Sequence, residues 1–230
     1  MSLKKDKHSL EMSRYKCIII GDGNSGKSSL IMTYKEGEYP EVYVPTVFEA
    51  YVQNITLEDN QQVELTLYDT AGQKDLDQIR SISYCNADVV MLCFSVDNSV
   101  SYDNIQNFWL LEMAKFCPKM VPIVLVGCKL DVRNAYMESL NNNSNPKSKS
   151  IYKNMKLSFT KSGSSHELGS FVTTKEGVYL ANRINAFKYV ECSSKMNEGV
   201  QDAILACVQA IQHSKSNKKS KKKSKKCSIQ

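Results

Sequence analysis

The chain has 230 residues, of which 42% are hydrophobic, so it is long enough to bury one good core in one domain with tails. Its formal net charge is +6, but without the eight lysines between Lys215 and Lys226 the basic residues number 22 against 24 acidic ones. The positive charge therefore belongs to the end of the chain. No apolar run near the N-terminus resembles a signal peptide, no stretch approaches transmembrane length, and Ser2 in place of glycine excludes N-myristoylation.

The cysteine pattern argues against a disulfide framework or a zinc site. Eight cysteines are present without a Cys-x-x-Cys pair, and half of them lie in or beside apolar strand runs: Cys17, Cys93, Cys128 and Cys192. Buried, reduced thiols in a reducing compartment explain this pattern better.

Strand and helix patterns alternate along the chain. Strands are predicted near residues 15–20, 47–56, 62–68, 88–94, 121–127 and 187–191. Helices are predicted near 27–35, 75–84, 99–116, 172–185 and 198–213. This order predicts an α/β fold with a doubly wound, mostly parallel six-stranded sheet. The polar turn at 58–61 predicts that 47–56 and 62–68 form a hairpin, which gives one antiparallel edge strand.

Three helices carry local signatures. Thr173 and Glu176 have the spacing of a capping box at the start of the 172–185 helix. The other two helices carry apolar stripes typical of core packing rather than of a cofactor site. The stripes are Ile105, Phe108, Trp109 and Met113 in one helix, and Val200, Ile204, Cys207, Val208 and Ile211 in the other.

The first functional motif follows the first strand and opens the first helix. It reads Gly21-Asp22-Gly23-Asn24-Ser25-Gly26-Lys27-Ser28, with Ser29 next. Glycines allow successive backbone N–H groups to face an anion, and the helix N-terminus adds its positive dipole end. Lys27 is predicted to reach the β- and γ-phosphates, and the Ser28 hydroxyl to bind Mg²⁺. An ordinary glycine-rich turn is the alternative for this motif taken alone.

The second motif is Asp69-Thr70-Ala71-Gly72-Gln73, at the end of the third strand. A carboxylate at this place is suited to hold the Mg²⁺ shell, and Gly72 to bring a bare backbone N–H to the γ-phosphate. Gln73 is the nearby amide that we expect to orient an attacking water. Taken alone, this motif is explained equally well as an ordinary strand-to-loop junction.

The third motif is Cys128-Lys129-Leu130-Asp131, after a buried strand. The Asp131 carboxylate can accept from both the N1–H and the 2-amino group of guanine, a donor pair that adenine lacks, while the Lys129 stem lies over the base. All three motifs follow strands, and open α/β sheets bind ligands at the carboxyl ends of their strands. We therefore predict a guanine-nucleotide site. An ATP-dependent small-molecule kinase is not supported, because Asp131 selects guanine.

With these motifs in place, the chain resembles the Rho/Rac family of small GTPases in the Ras superfamily from about Arg14 to His213 and again at the C-terminus, leaving out the segment near 134–170. The narrower resemblance rests on residues 39–51 and 88–95, on Trp109, and on Glu191-Cys192-Ser193-Ser194-Lys195. It implies a P-loop GTPase fold and an effector segment made of Tyr43, Val44, Pro45, Thr46, Val47, Phe48, Glu49, Ala50 and Tyr51. For nucleotide binding it implies Thr46 as a ligand of Mg²⁺ and the γ-phosphate, Tyr39 beside the base and Tyr43 over the phosphates. It further implies backbone contacts from Ser193, Ser194 and Lys195 to the guanine carbonyl.

The sequence departs from the family pattern at a few places. Lys74 follows Gln73 where the family usually has Glu, which would alter Gln73 orientation or exchange-factor action, or would be a tolerated surface change. Cys128 replaces Asn, which suggests weaker bracing of its loop. Residues 134–170 contain low-complexity runs and are predicted as a mobile loop outside the site, and residues 1–13 as a flexible extension.

The C-terminal segment 214–230 predicts membrane attachment. Cys227-Ser228-Ile229-Gln230 forms a C-a-a-X box, so prenylation is expected at Cys227; the final Gln favours farnesyl, although Rho-like proteins often carry geranylgeranyl. One lipid chain binds membranes only marginally, and the lysine run supplies the second signal on an anionic leaflet. A solvated tail or a nucleic-acid patch is the alternative for such a run, and we expect no nucleic-acid partner.

Together these features predict a GTP hydrolase, slow by itself, that switches between GTP and GDP states and is a monomer. Catalysis is assigned to Gln73 and Lys27, with an arginine from an activating protein. The expected partners are exchange factors, activating proteins and effectors at the two switch loops, around residues 43–51 and 72–82. The expected location is the cytoplasmic face of the cell membrane, with a cytosolic pool, and the resemblance implies a role in actin regulation. A GTP-bound membrane adaptor with little hydrolysis is the alternative.

Overall fold

The structure is a computed structural model that describes residues 12–42, 45–57, 59–117, 120–141 and 171–226. Several predictions concern residues outside these ranges: residues 1–11, Tyr43, Val44, residues 142–170 and Cys227.

Six strands form one sheet in the order β2-β3-β1-β4-β5-β6. Their bounds are β1 Ser13–Ile20, β2 Phe48–Thr56, β3 Gln62–Thr70, β4 Val89–Ser95, β5 Ile123–Cys128 and β6 Lys188–Glu191. Only the β2–β3 pair is antiparallel among these neighbours. The predicted doubly wound, mostly parallel sheet with one antiparallel edge strand is thus confirmed.

The helices are α1 Lys27–Glu36, α2 Asp77–Ser83, α3 Ser99–Asn104, α4 Leu110–Phe116, α5 Leu130–Asn141, α6 Thr174–Arg183 and α7 Val200–Lys226. A 3-10 turn, Lys74–Leu76, precedes α2, and a π-helical segment, Ile105–Trp109, joins α3 to α4. Thr173 and Glu176 form the predicted capping box at the start of α6. None of the helices in the described part of the chain is long and apolar enough to cross a membrane.

Two apolar cores lie on opposite faces of the sheet, because side chains along β1 alternate between them. Cys17 and Ile19 pack with residues of α1 and α7, whereas Ile18 and Ile20 pack with the π-helical segment and α6. The residues of the predicted stripes belong to these cores, apart from Val200, which is buried as well. With both faces covered, the polar loops at the carboxyl ends of the strands are left to form a site.

The predicted loop at 134–170 is wrong in its first part, since residues 134–141 belong to α5. Tertiary contacts explain this helix: the Arg133 guanidinium donates to the Val172 carbonyl at 2.8 Å and to the Glu191 carboxylate, and the Tyr136 ring lies 4.9 Å from that of Phe171. These partners are distant in sequence, so composition alone did not indicate them.

The last helix is longer than predicted. We expected it to end near residue 213, but α7 continues to Lys226 and includes the lysine run. Lysine has good intrinsic helix propensity, and the apolar first half of α7 provides the packed turns from which the helix continues.

Candidate nucleotide site

The phosphate loop lies between β1 and α1 and is shaped by three positive φ angles. Gly21 has φ 147°, and a Cβ there would lie 2.0 Å from the Cys93 carbonyl oxygen, so only glycine allows β4 this close. Asn24 and Gly26 also adopt positive φ, at 61° and 99°. The loop therefore curls in front of the α1 N-terminus, as anion binding requires.

Lys27 is buried and folds back over this loop. Its Nζ donates hydrogen bonds to the carbonyl oxygens of Gly21 at 2.8 Å and Asp22 at 2.9 Å. Burial lowers the pKa of Lys27, with the nearby Asp69 carboxylate opposing the shift. An ammonium group held in this way lies at the centre of the loop, where a phosphate chain would supply better partners than carbonyls.

The three predicted metal ligands come together from three segments. Ser28 Oγ and Thr46 Oγ1 are hydrogen-bonded at 2.8 Å, and both hydroxyls lie beside the Asp69 carboxylate. Burial raises the pKa of Asp69, although these hydroxyls and Lys27 oppose the shift. Asp69 Oδ1 is buried and has no hydrogen-bond partner among the described residues. Two hydroxyls and an orphaned carboxylate oxygen fit a hard cation such as Mg²⁺.

Gly72 lies directly against the phosphate loop. Its carbonyl accepts from the Gly23 N–H at 3.1 Å, and a Cβ on Gly72 would come within 2.2 Å of the Gly23 nitrogen. Gln73 follows, with an exposed side chain. Within the described chain, a Cβ on Gly23 would have no heavy atom within 4 Å apart from Gly23 itself and its two chain neighbours.

Asp22 has a different role from its neighbours in the loop. Its carboxylate accepts from Trp109 Nε1 and from Asn104 Nδ2, each at 2.7 Å, so the side chain is bonded to the α3–α4 region. Only its backbone, through the Lys27 contact, takes part in the phosphate cradle. The nucleotide contact that we predicted for Asp22 would therefore come from its backbone and not from its carboxylate.

The two loops that we predicted to read the base are bonded to each other. Asp131 Oδ1 accepts from Ser193 Oγ at 2.7 Å, and the Leu130 N–H donates to the Cys192 carbonyl at 3.0 Å. Lys129 adopts φ 65°, an unusual conformation for this residue, and its Nζ lies 3.9 Å from an Asp97 carboxylate oxygen. The ion pair holds the Lys129 stem in the loop and offsets part of the cost of this backbone conformation.

Two contacts connect the base side to the phosphate side. Thr33 Oγ1 on α1 donates to the Ser194 carbonyl at 3.4 Å, and a Cβ on Gly26 would lie 3.0 Å from the Cys128 Cβ. Cys128 is buried and has the Cys93 and Cys192 thiols as neighbours. The thiol thus packs behind the phosphate loop, where the family pattern has an amide.

The remaining predicted residues lie around the rim. Tyr39 is 47% exposed, Lys195 is exposed, and Ser29 is partly buried in the first turn of α1. In the effector segment Pro45, Val47, Phe48, Glu49 and Ala50 are exposed and Tyr51 is partly buried. Lys74 does not face the phosphate loop, because its Nζ donates to Asn104 Oδ1 at 3.3 Å and lies over the Phe108 ring.

Sequence reasoning missed Asp97, Asn104, Arg80 and Thr33. Asp97 follows β4, so the strand-end rule that led to Asp69 and Asp131 would also have found it. The other three are in helices and have no motif. Their roles depend on contacts with residues far away in the sequence.

A mostly parallel sheet, a glycine-containing loop before the first helix, a buried lysine folded over that loop, and hydroxyl and carboxylate groups beside it together define a P-loop nucleotide-binding protein. Comparison with known proteins agrees, since the Ras family model matches residues 16–213. The chain is 41% identical over 199 residues to GTP-binding protein rho5 of Schizosaccharomyces pombe, covering 86% of both chains. It is 41% identical over 200 residues to rho1 of the same yeast, with the same coverage. Against GTP-binding protein RHO1 of Saccharomyces cerevisiae the identity is 40% over 205 residues, which is 88% of this chain and 86% of that one.

The chain belongs to the Ras family and, within it, to the Rho-type small GTPases. The predicted resemblance is confirmed, and with it the assignment as a GTP-hydrolysing switch. The adaptor alternative is not favoured. The roles of individual site residues stay predictions.

Proposed function

We propose that the pocket holds GTP or GDP together with Mg²⁺ and that hydrolysis at this site releases the two switch loops, 43–51 and 72–82. The observation that supports this best is the Ser28–Thr46 hydroxyl contact beside the orphaned Asp69 oxygen. Thr46 comes from one switch loop and Ser28 from the fixed phosphate loop, so a ligand bound between them would tie the two together. Losing the γ-phosphate would remove part of this tie.

Each residue has a defined task in the proposed reaction. Lys27 exchanges its carbonyl partners for the β- and γ-phosphate oxygens and stabilises charge as the terminal bond breaks. Ser28, Thr46 and Asp69 would hold Mg²⁺, which supplies charge neutralisation at the phosphates when bound. Gln73 orients the water that attacks in line. Asp131, fixed by Ser193, selects guanine.

Gln73 is the residue on which the hydrolytic part of the proposal is tested. We expect Gln73→Leu to lower single-turnover GTP hydrolysis by about 100-fold or more, because the attacking water loses its orienting amide. GDP affinity should not change. Gln78→Leu is the matched control, since it removes an exposed amide from α2 in the same segment. Equal hydrolysis by both variants would overturn the role of Gln73.

Activation by a second protein follows from the same geometry. Within the described residues, no hydrogen bond or ion pair brings an arginine side chain to Lys27 or to the Ser28–Thr46 pair. We infer that an activating protein supplies an arginine, which adds about 10³- to 10⁵-fold in rate. Adding the catalytic domain of a Rho-type activating protein to the single-turnover assay tests this. No stimulation would favour the adaptor function.

Membrane attachment is proposed for segment 214–230, with the GTPase domain over 14–213. The support is the C-a-a-X box at Cys227 and the eight lysines from Lys215 to Lys226, which lie on α7. The lipid-modified chain should bind vesicles containing phosphatidylserine much better than neutral ones, and less well at high salt. Cys227→Ser should stay largely unbound to the vesicles. Unmodified chains of this kind would form the cytosolic pool in the cell. Equal binding by this variant would contradict lipid anchoring. Actin regulation is the process that the family resemblance implies.

A further inference from the structure

Trp109 lies between the phosphate loop and the second switch loop, 72–82, and contacts a charged side chain from each. It is fully buried, and its indole N–H donates to Asp22 Oδ1 at 2.7 Å. The Arg80 guanidinium carbon lies 4.9 Å from the centre of its ring. The apolar stripe explains why the ring is buried, but it does not explain these two contacts.

The π-helical segment Ile105–Trp109 sets up the contact with Asp22. In a regular α-helix, residues five apart, such as Asn104 and Trp109, would project in different directions, since each residue turns by about 100°. The wider π turn, closed by the Leu110 N–H to the Ile105 carbonyl, brings residues five apart closer to alignment. Asn104 and Trp109 therefore reach the two oxygens of one carboxylate, each at 2.7 Å.

Arg80 holds the other side, which is the backbone that carries Gln73. Its guanidinium is 1% exposed and donates to the carbonyl oxygens of Ala71, Gln73 and Lys74. The remaining donors bind the Glu112 carboxylate at 2.8 and 2.7 Å. All five N–H groups of the side chain are thus used, which fixes its position.

These contacts form one continuous connection, which we call the Trp109 brace: Asp22, Trp109, Arg80 and the carbonyl of Gln73. Lys74 adds a second link, because its Nζ donates to Asn104 Oδ1 at 3.3 Å. The Gln73 side chain itself is exposed, so within the described chain its position is set mainly by this backbone.

We propose that Arg80 and Trp109 are positioning residues for GTP hydrolysis, which fix the Gln73 backbone relative to the phosphate loop through the Trp109 brace. The inference rests on the proposed role of Gln73. A displacement of the order of 1 Å is enough to lower a rate by about 100-fold, so loosening the brace should affect hydrolysis far more than nucleotide binding.

The test uses full-length protein loaded with GTP and three variants. Arg80→Lys keeps the charge but removes the five-donor fork, and Trp109→Phe keeps the ring but removes the N–H. Arg183→Lys, an exposed arginine at the end of α6, is the matched control. We expect the first two to lower the single-turnover rate by about 10- to 100-fold, with GDP dissociation changed less than about threefold.

A double-mutant cycle separates positioning from a general structural effect. In a Gln73→Ala background, Arg80→Lys should produce no further loss of hydrolysis, because the residue that it positions is absent. Additive losses in the cycle, or wild-type hydrolysis by both brace variants, would overturn the proposal. GDP dissociation that rises as much as hydrolysis falls would overturn it as well.

Two further measurements distinguish a loss of packing, and a failure of the proposed role of Gln73, from a failure of the brace. Trp109 is the only tryptophan of the chain, so its emission reports whether Arg80→Lys leaves the site packed. If Arg80→Lys disrupts this packing, the single-turnover rate of Trp109→Phe decides the test. Normal hydrolysis by Gln73→Ala alone would refute the proposed role of Gln73, a result separate from failure of the brace.

Discussion

The two sides of the nucleotide pocket differ in how completely their polar groups are partnered within the protein. On the base side, Asp131 is bonded to Ser193, and the backbone of Leu130 is bonded to that of Cys192. On the phosphate side, Asp69 Oδ1 and Ser25 Oγ are buried with no hydrogen-bond partner among the described residues.

This difference indicates which side depends on the ligand. A buried polar group without a partner costs about 1–3 kcal/mol, so the phosphate side gains most from the groups that a bound nucleotide and cation would bring. In the proposed function the base side serves selection, and Asp131 is already held in place by Ser193. Binding energy at the phosphates would then be available to hold the switch loops, with the same base contacts in both nucleotide states.

Lys27→Met should have the largest effect. Removing the buried ammonium leaves the phosphate charge unpaired, and we expect GTP and GDP affinity to fall by about 1,000-fold. Nucleotide titration by fluorescence or calorimetry measures this. Lys35→Met, at the exposed end of the same helix, is the control. A loss below tenfold would show that the phosphate side does not depend on Lys27.

Asp131→Asn should change selectivity rather than abolish binding. The amide cannot accept from both guanine donors, so GTP affinity should fall by about 100-fold while xanthine nucleotides bind better. Competition between GTP and XTP measures the change, with Asp202→Asn on the exposed face of α7 as the control. Unchanged GTP affinity would remove Asp131 as the base reader.

Arg133→Met should weaken the scaffold of the base side. Arg133 and Glu191 form a largely buried pair, and breaking it should lower the free energy of unfolding by about 3 kcal/mol. Burial opposes ionisation of Glu191, but hydrogen bonds from Arg133 and Tyr189 prevail and lower its pKa. The stabilisation is therefore present at neutral pH and is lost as pH falls through that lowered pKa. Urea unfolding measures the free energy of unfolding of both proteins, and the difference between variant and wild type should be smaller at pH 3 than at pH 7. An equal difference at the two pH values would contradict the pairing.

Asp69→Asn should stabilise the nucleotide-free protein but weaken the hold of the nucleotide-bound protein on its ligand. Without nucleotide, loss of an incompletely paired buried charge should stabilise the protein by about 1 kcal/mol, raising the melting temperature by about 2–4 °C. With nucleotide, we expect Mg²⁺ to slow GDP release from the wild type and to have no such effect on the variant. Melting curves in EDTA and release rates across a Mg²⁺ series test both parts. A lower melting temperature, or an intact Mg²⁺ effect, would speak against this assignment.

Cys128→Ser should have the smallest effect. Serine keeps a hydrogen-bonding group but is smaller, so the packing behind Gly26 loosens, and GDP release should speed up only by about two- to fivefold. Stopped-flow release of a fluorescent GDP measures the rate. A change as large as that of Lys27→Met would mean that Cys128 does more than brace the phosphate loop.

The sequence predicted the parts of the site that follow a general rule. Lys27, Asp69 and Asp131 each follow or end a strand, and their spacing places them at one edge of the sheet. Arg80 could not be predicted in this way, since its role comes from carbonyls and a carboxylate brought together by packing. For the same reason α5 was missed: it is held by Arg133 and Tyr136 against residues far along the chain.

The central claim is tested most directly by the nucleotide that the purified protein carries. Protein purified in Mg²⁺, denatured and analysed by chromatography, should release about one guanine nucleotide per chain, as expected for a ligand that completes buried polar groups. An adenine nucleotide, or an empty pocket that stays empty after incubation with Mg²⁺ and GTP, would contradict the account.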